Sequence, residues 1–568
     1  MSTASASRTR AAAQPRSHRA APPGTGELAG FGKLVRGIVR RDRLRLAIWL
    51  VCVVGVSVAS VAAFTDMFET PASAQARAAL MATPTGSVFG GPGFGLDNYT
   101  AGAMVANEFL LWIDVTVALA AILLMTHMSR AEEEAGRLEL VGAAPVGRRA
   151  PLAAAFAVVS AEVVVIGLLI GFGCLAYPSL DRLDCLGLGL AVAGTGLAFA
   201  GLAALAAQLA STGRGAGALG AAALGVAYLL RAVGDTATLE GESAWASWLS
   251  PLGWANRMAL FVHSNWWPLA LMAAFALLTG AGAWQLAARR DEGAGLLPQR
   301  RGRARASRWL RRPVGLVWRL TRASFIGWGL GAVVLALCIA PIMGQIPDYV
   351  ADNPIMGQAM GVAEGAGADA AITGFSSVMV MFMAALAGAL AISVVATLRR
   401  DESAGRAALE LAEPVSRGRL LAAAWLVACV GGVVVLAVGS GVYAAVLAAD
   451  PAISAAIFES VVRAGLAYVP AVLALAALTG LLVAALPSWT ALIWAVYGFG
   501  VLSSWFGGLL GLPEWTRYLS PLSAVDAAPS GLGGWADLAW GNIAAITAVA
   551  AAALALGHAR FRARDLGG

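Results

Sequence analysis

Long uncharged runs alternate with short charged islands along the whole chain. Apolar runs fall at about 45–64, 105–128, 150–175 and 186–211, in a fifth run ending near 234 and in a sixth ending at Arg289. After an arginine-rich stretch the plan resumes at about 324–344, 373–397, 419–448, 463–486, 488–511 and 537–558. A helix needs about 20 apolar residues to cross a hydrocarbon layer of about 30 Å, so each run is long enough to span a membrane. Ahead of the first run, residues 28–43 set Leu28, Phe31, Leu34, Val35 and Ile38 on one helical face. Lys33, Arg36, Arg40 and Arg41 lie largely off that face. Such a stretch is expected to lie along the membrane surface. Trp245, Trp248 and Trp254, between the fifth and sixth runs, suit a membrane interface.

Two islands repeat without a gap. Arg130–Arg148 aligns with Arg399–Arg417, pairing Glu133 with Glu402, Gly136 with Gly405, Arg137 with Arg406 and Pro145 with Pro414. Carboxylates favour a helix start and proline is excluded from a helix interior, so each island reads as one short helix ended by its proline. The repeat extends further: Trp245–Leu252 matches Trp515–Leu522, and Arg290-Asp291 matches Arg564-Asp565. With an even number of spans per half, both halves enter from the same side, as parallel repeats.

The expected architecture is an all-α integral membrane protein of about 12 transmembrane helices in two parallel six-helix units. Residues 1–27 read as a disordered cytoplasmic tail and 28–288 as the first six-helix unit with its interfacial helix. Residues 289–322 read as an Arg-rich cytoplasmic linker and 323–568 as the second six-helix unit. Composition agrees: 59% of residues are apolar, 13% are charged and mean hydropathy is +0.74. The net charge of +7 comes almost wholly from arginine, and Lys33 is the only lysine. Basic loops stay on the inner side, which places both termini and the islands in the cytoplasm of a cell-membrane protein. This excess is topological and gives no reason to expect a nucleic-acid partner. Cys52, Cys174, Cys185, Cys338 and Cys429 show no metal-ligand spacing. Cys174 and Cys185 flank one short loop, and free, buried side chains are the favoured reading.

The Glu-Glu-x-Gly-Arg…Pro-Val pattern after the second span resembles the coupling helix of type-2 ATP-binding-cassette (ABC-2) exporters. The fused double unit, Arg41-Asp42-Arg43 and the stretch Arg231…Gly234-Asp235 resemble actinobacterial polyketide-antibiotic permeases of the tetronasin-like group. The resemblance implies a non-catalytic permease that exports hydrophobic or amphipathic compounds. It implies two copies of a separate cassette ATPase as partners, which bind ATP and Mg, and short re-entrant outer helices at the two Ser-Pro-Leu stretches. Under it, Glu132, Glu133, Gly136, Arg137, Pro145, Asp401, Glu402, Gly405, Arg406 and Pro414 are the ATPase-coupling residues, with the carboxylates meeting the partner.

No cofactor or metal site is expected in the chain itself. A phosphate-binding loop needs a lysine before Ser or Thr, and Lys33 precedes Leu34. His18, His127, His263 and His558 are dispersed, so no catalytic constellation emerges. Ionisable residues inside spans mark candidate pathways for a hydrophobic small molecule: Glu108, Asp114, Glu162 and Arg231. A cavity for a cationic drug competes there with plain interhelical bonding, for example to Arg231. A proton-coupled secondary drug transporter, or an ABC exporter of lipid and cell-envelope material, are the alternatives that the sequence leaves open.

Overall fold

A computed structural model describes residues 26–67, 71–236, 245–291, 293–297, 305–345, 347, 368–412, 414–451, 453, 455–506, 513–525 and 538–564. The tail up to residue 25, and with it nearly all of the expected disordered segment, lies outside the described residues. The chain divides into two compact units, Met1–Arg301 and Gly302–Gly568. Regular elements among the described residues are helical throughout.

The first unit holds α1 (Phe31–Met67), α2 (Pro71–Met81), α3 (Pro84–Phe89), α4 (Ala101–Met104) and α5 (Leu110–Met128). After α6 (Arg130–Glu134) and α7 (Arg137–Gly142) come α8 (Ala150–Cys174), α9 (Arg182–Leu209), α10 (Gly213–Thr236), α11 (Pro251–Asn256) and α12 (Pro268–Arg289). The second unit holds α13 (Pro313–Ile339), α14 (Ala368–Ser403), α15 (Arg406–Leu411) and α16 (Arg417–Ala448). It is completed by α17 (Ala455–Ala485), α18 (Leu492–Phe506), α19 (Pro521–Ala524) and α20 (Trp540–Ala563). Eleven helices among the described residues are long and apolar enough to cross a membrane. This is a multi-pass membrane protein. The span expected at 488–511 is represented by α18, only 15 residues long where it is described.

The first helix departs from expectation. Residues 28–43 do not form a separate surface helix; α1 runs unbroken for 37 residues, about 55 Å at 1.5 Å per residue. Nothing in the sequence forces a break there. Asp42 accepts from Arg41 at 2.7 Å and from Arg45 at 2.9 Å within the same helix, so the charged turn is neutralised in place. The second unit behaves alike: α13 begins at Pro313, well ahead of the expected span start at 324.

In unit one, α9 is the central post, packing against α5, α8, α10 and α12. In unit two, α14 packs against α16 and α17, and α17 against α20. Each unit has its own apolar core. Cys174 and Cys185 are free thiols buried in the core of the first unit, whereas Cys52 is exposed on α1. Short helices do begin at both Ser-Pro-Leu stretches: Ser250 caps fully buried α11, and Ser520 precedes α19. Trp254, expected at a membrane interface, is instead buried and donates its indole N–H to the Trp248 carbonyl at 2.6 Å.

Glycine sets the closest approach in the first unit. A Cβ on Gly189 of α9 would lie 2.5 Å from the Gly167 carbonyl oxygen of α8, and one on Gly167 only 2.4 Å from that of Gly189. With lipid as apolar as leucine, such contacts rather than hydrophobicity hold membrane helices together. Gly189→Leu is expected to separate α8 from α9 and lower the unfolding temperature of the detergent-solubilised protein by several degrees. Gly225→Leu, where a Cβ meets nothing within 4 Å, is the matched control and is expected to leave it unchanged. Thermal-shift chromatography reads both.

Candidate functional site

The islands are not single helices. In the first, α6 stops at Glu134, Gly136 takes φ +72° in the left-handed region, and α7 starts at Arg137. In the second, α14 runs on to Ser403, Gly405 takes φ +71°, and α15 starts at Arg406. The repeated glycine is thus the residue that ends one helix and launches the next, because an L side chain resists positive φ. A Cβ at either position meets nothing within 4 Å, so conformation and not space selects glycine. Pro145 and Pro414 lie beyond the second short helix of each island and are exposed.

The arginine after each glycine folds back across the turn. Arg137 donates to Glu132 at 2.8 and 2.5 Å, and Arg406 donates to Asp401 at 2.9 and 2.7 Å. Glu133 accepts from Arg290, just past the end of α12, at 2.6 and 2.7 Å, and from the Gly293 amide. Its repeat mate Glu402 is bound by Arg564, just past the end of α20. The other edge of each island is tied to the same residue: Arg148 donates to the Arg290 carbonyl at 2.7 Å, and Arg417 to the Arg564 carbonyl at 2.6 Å. Arg130 and Arg399 complete the frame, at 2.8 Å from Glu133 and 3.4 Å from Glu402. The end of each unit's last helix therefore holds both edges of its island.

The carboxylates expected to meet the partner, Glu132, Glu133, Asp401 and Glu402, each have ion-pair partners within their own unit. Beside exposed charged groups such as Glu139, Arg137 and Arg406, each island presents one large apolar side chain: Leu140 is 78% and Leu409 74% exposed, at equivalent positions on α7 and α15. Sequence reasoning missed Arg148, Arg290, Arg417 and Arg564 as members of the site. Their recurrence in both halves was the available signal.

The first island carries more charge chemistry than the second. Glu132 also accepts from Arg41 of α1 at 2.5 Å, and Asp42 lies 3.2 Å from His127. Glu134, replaced by Ser403 in the second island, accepts from the Gly213 amide at 2.7 Å. Among the described residues of unit two, Asp401 has an ion pair with Arg406 only.

The span acids are scattered. Glu108 sits in a π-helical turn, Val105–Phe109, paired with Arg77 of α2 at 2.6 Å and with the Tyr99 hydroxyl at 3.0 Å. Its partner is thus Arg77 and not Arg231. Arg231 is fully buried; it lies 3.3 Å from Asp235 and donates to the carbonyls of Ser87, Val88 and Gly90, fastening α3 to α10. Asp114 is fully buried between α5 and α9 near Thr195, with neither carboxylate oxygen hydrogen-bonded. Glu162 lies apart on α8, half-buried, with Oε1 likewise unbonded. These four do not converge on one cavity among the described residues.

A family model described as the C-terminal domain of the multidrug efflux system permease Rv1217c matches residues 310–562. Multidrug efflux system permease protein Rv1217c of Mycobacterium tuberculosis is 32% identical over 559 residues, covering 98% of each chain. Identity at that level across both units shows that the chain belongs to this family of multidrug efflux permeases.

Proposed function

We propose that the protein is the membrane subunit of an ATP-driven drug exporter, and that α6–α7 and α14–α15 pass mechanical work from two separate cassette ATPases to the spans. The observation that carries this reading is the repeated frame itself. Each unit ties a glycine-broken elbow to its last helix and presents an exposed leucine on the short helix that follows the glycine. An exposed leucine on a polar turn suits a hydrophobic contact with a partner groove, while the ion pairs behind it keep the elbow from flexing under load. The islands and both termini face the cytoplasm in this reading, where ATP and Mg bind the partner chains and no catalysis falls to this one. Its substrates are hydrophobic or amphipathic compounds of the polyketide-antibiotic kind, as in tetronasin-like permeases.

Asp114 favours a second reading. A fully buried carboxyl without a hydrogen bond is the kind of group that proton-coupled transporters load and unload. The energy source separates the two. Drug-stimulated ATP hydrolysis by the copurified complex in nanodiscs, with efflux surviving dissipation of the proton gradient, supports the first. Efflux that collapses with the gradient and is lost in Asp114→Asn, with no ATPase copurifying, supports the second.

The frame yields two further expected outcomes. Leu140→Asp with Leu409→Asp is expected to cut drug-stimulated ATP hydrolysis at least tenfold without lowering the unfolding temperature; normal stimulation would count against docking at these tips. Removing one partner of a desolvated ion pair costs about 3–5 kcal/mol, with less expected here because the groups retain some solvent contact. Glu402→Arg and Arg564→Glu are each expected to lower the unfolding temperature, and the double exchange is expected to recover most of the loss.

A further inference from the structure

Beside the second island lies a cavity of about 1080 Å³, bounded by the turn before α13, the start of α16 and α15. Its lining combines basic and apolar groups. Arg311, Arg312 and Arg419 belong to it, all exposed and none in an ion pair among the described residues. Leu316, Leu420 and Leu426 contribute apolar surface, and Leu426 on α16 is 53% exposed. Arg419 and Leu426 are about two helical turns apart, roughly 10 Å along the axis, so the basic end passes directly into the zone of acyl chains. One acid, Glu410, shares the lining. Against the three arginines this leaves a formal excess of two positive charges in the lining.

A different cavity beside the first island, of about 710 Å³, is lined by α6 and the ends of α9 and α12 and sets Glu27, Glu133 and Glu139 against Arg130, Arg148 and Arg290. Acid and base balance there, whereas the second unit's cavity carries three arginines against one glutamate. An apolar groove with a basic mouth at the membrane surface is complementary to one common class of molecule.

We propose that this cavity binds an anionic phospholipid from the leaflet on the island side, with its phosphate at Arg311, Arg312 and Arg419 and an acyl chain along Leu420 and Leu426. Pro414 and Val415 of the island form part of the same lining, so the bound lipid braces the elbow from the side facing the bilayer. This step rests on the cavity's chemistry and is independent of the energy source.

The test uses the full-length permease, purified without any ATPase, delipidated, and titrated by native mass spectrometry with dioleoyl phosphatidylglycerol or dioleoyl phosphatidylcholine. Phosphatidylglycerol is expected to bind at least tenfold more tightly. Each arginine replaced by glutamine is expected to weaken it about fivefold, in line with the attraction of one basic side chain for an anionic surface. Phosphatidylcholine binding should not change in the variants. Leu426→Trp, which fills the apolar end without touching the charges, should weaken phosphatidylglycerol as well. Equal binding of the two lipids overturns the proposal, as does unchanged phosphatidylglycerol binding in Arg311→Gln/Arg312→Gln/Arg419→Gln. Displacement of the lipid by millimolar inorganic phosphate overturns it too, by reducing the site to one for a free anion. If the triple variant does not fold, Arg419→Gln alone decides, since its side chain is exposed.

Discussion

A carboxylate at the end of an apolar helix bundle must find a counter-charge or stay in water, and each unit meets that demand over a long sequence distance. Glu133 and Glu402 are satisfied by arginines at the ends of α12 and α20, the last helices of their units. The same arginines lend their carbonyls to Arg148 and Arg417. Last helix, island and the helix that re-enters the membrane are thereby locked into one corner. The corner's groups are linked through shared partners, so loss of one contact is expected to weaken the others. The elbow depends on that corner for its orientation: the glycine permits the turn, and the arginines decide where the turn points.

This changes what the islands have to offer. Their charge looked like an interaction surface; in the folded unit the four carboxylates Glu132, Glu133, Asp401 and Glu402 also serve as scaffolding. Exposed surface ion pairs contribute little, and Arg137 and Arg406 are more than half exposed, but the Glu133–Arg290 and Glu402–Arg564 pairs are largely covered, so their geometry carries more weight. The tip that remains is leucine in both units. A rigid frame with an apolar tip is better suited to transmitting a push than a ring of solvated carboxylates, whose side chains would yield first.

The repeat was legible in the sequence because it is written in local pattern: Glu, Gly-Arg and Pro-Val at fixed spacing, and Arg-Asp at the close of each half. Its meaning was less legible. Gly136 and Gly405 stood in the pattern as marks, while the left-handed conformation that requires them is a backbone property that spacing does not announce. Arg290 and Arg564 were matched to each other, yet 157 and 162 residues separate them from the carboxylates they hold, and no periodicity links such distances. Glu108 hid its partner in the same way, since Arg77 comes from a segment whose prolines suggest a loop. The continuity of α1 was obscured for another reason. Charge on a helix face reads as a surface position unless its neutralisation within the helix, here by Asp42, is counted.

Two units built on one frame have kept different things. Ion pairs that fix the elbow recur in both, and so do the glycine and the exposed leucine. Groups outside that frame have drifted: Asp42, His127 and Arg41 gather around Glu132 in the first unit, while Asp401 pairs with Arg406 only among the described residues of the second. The cavities beside the elbows lie against different elements, one balanced in charge and one with three arginines to one glutamate. A frame that answers to geometry is retained, and its surroundings diverge because they answer to whatever lies against them. The first elbow is buttressed by α1 and its own charges. The second has fewer bonds of its own among the described residues, and the surface around it is the one that offers exposed arginines and an open apolar groove.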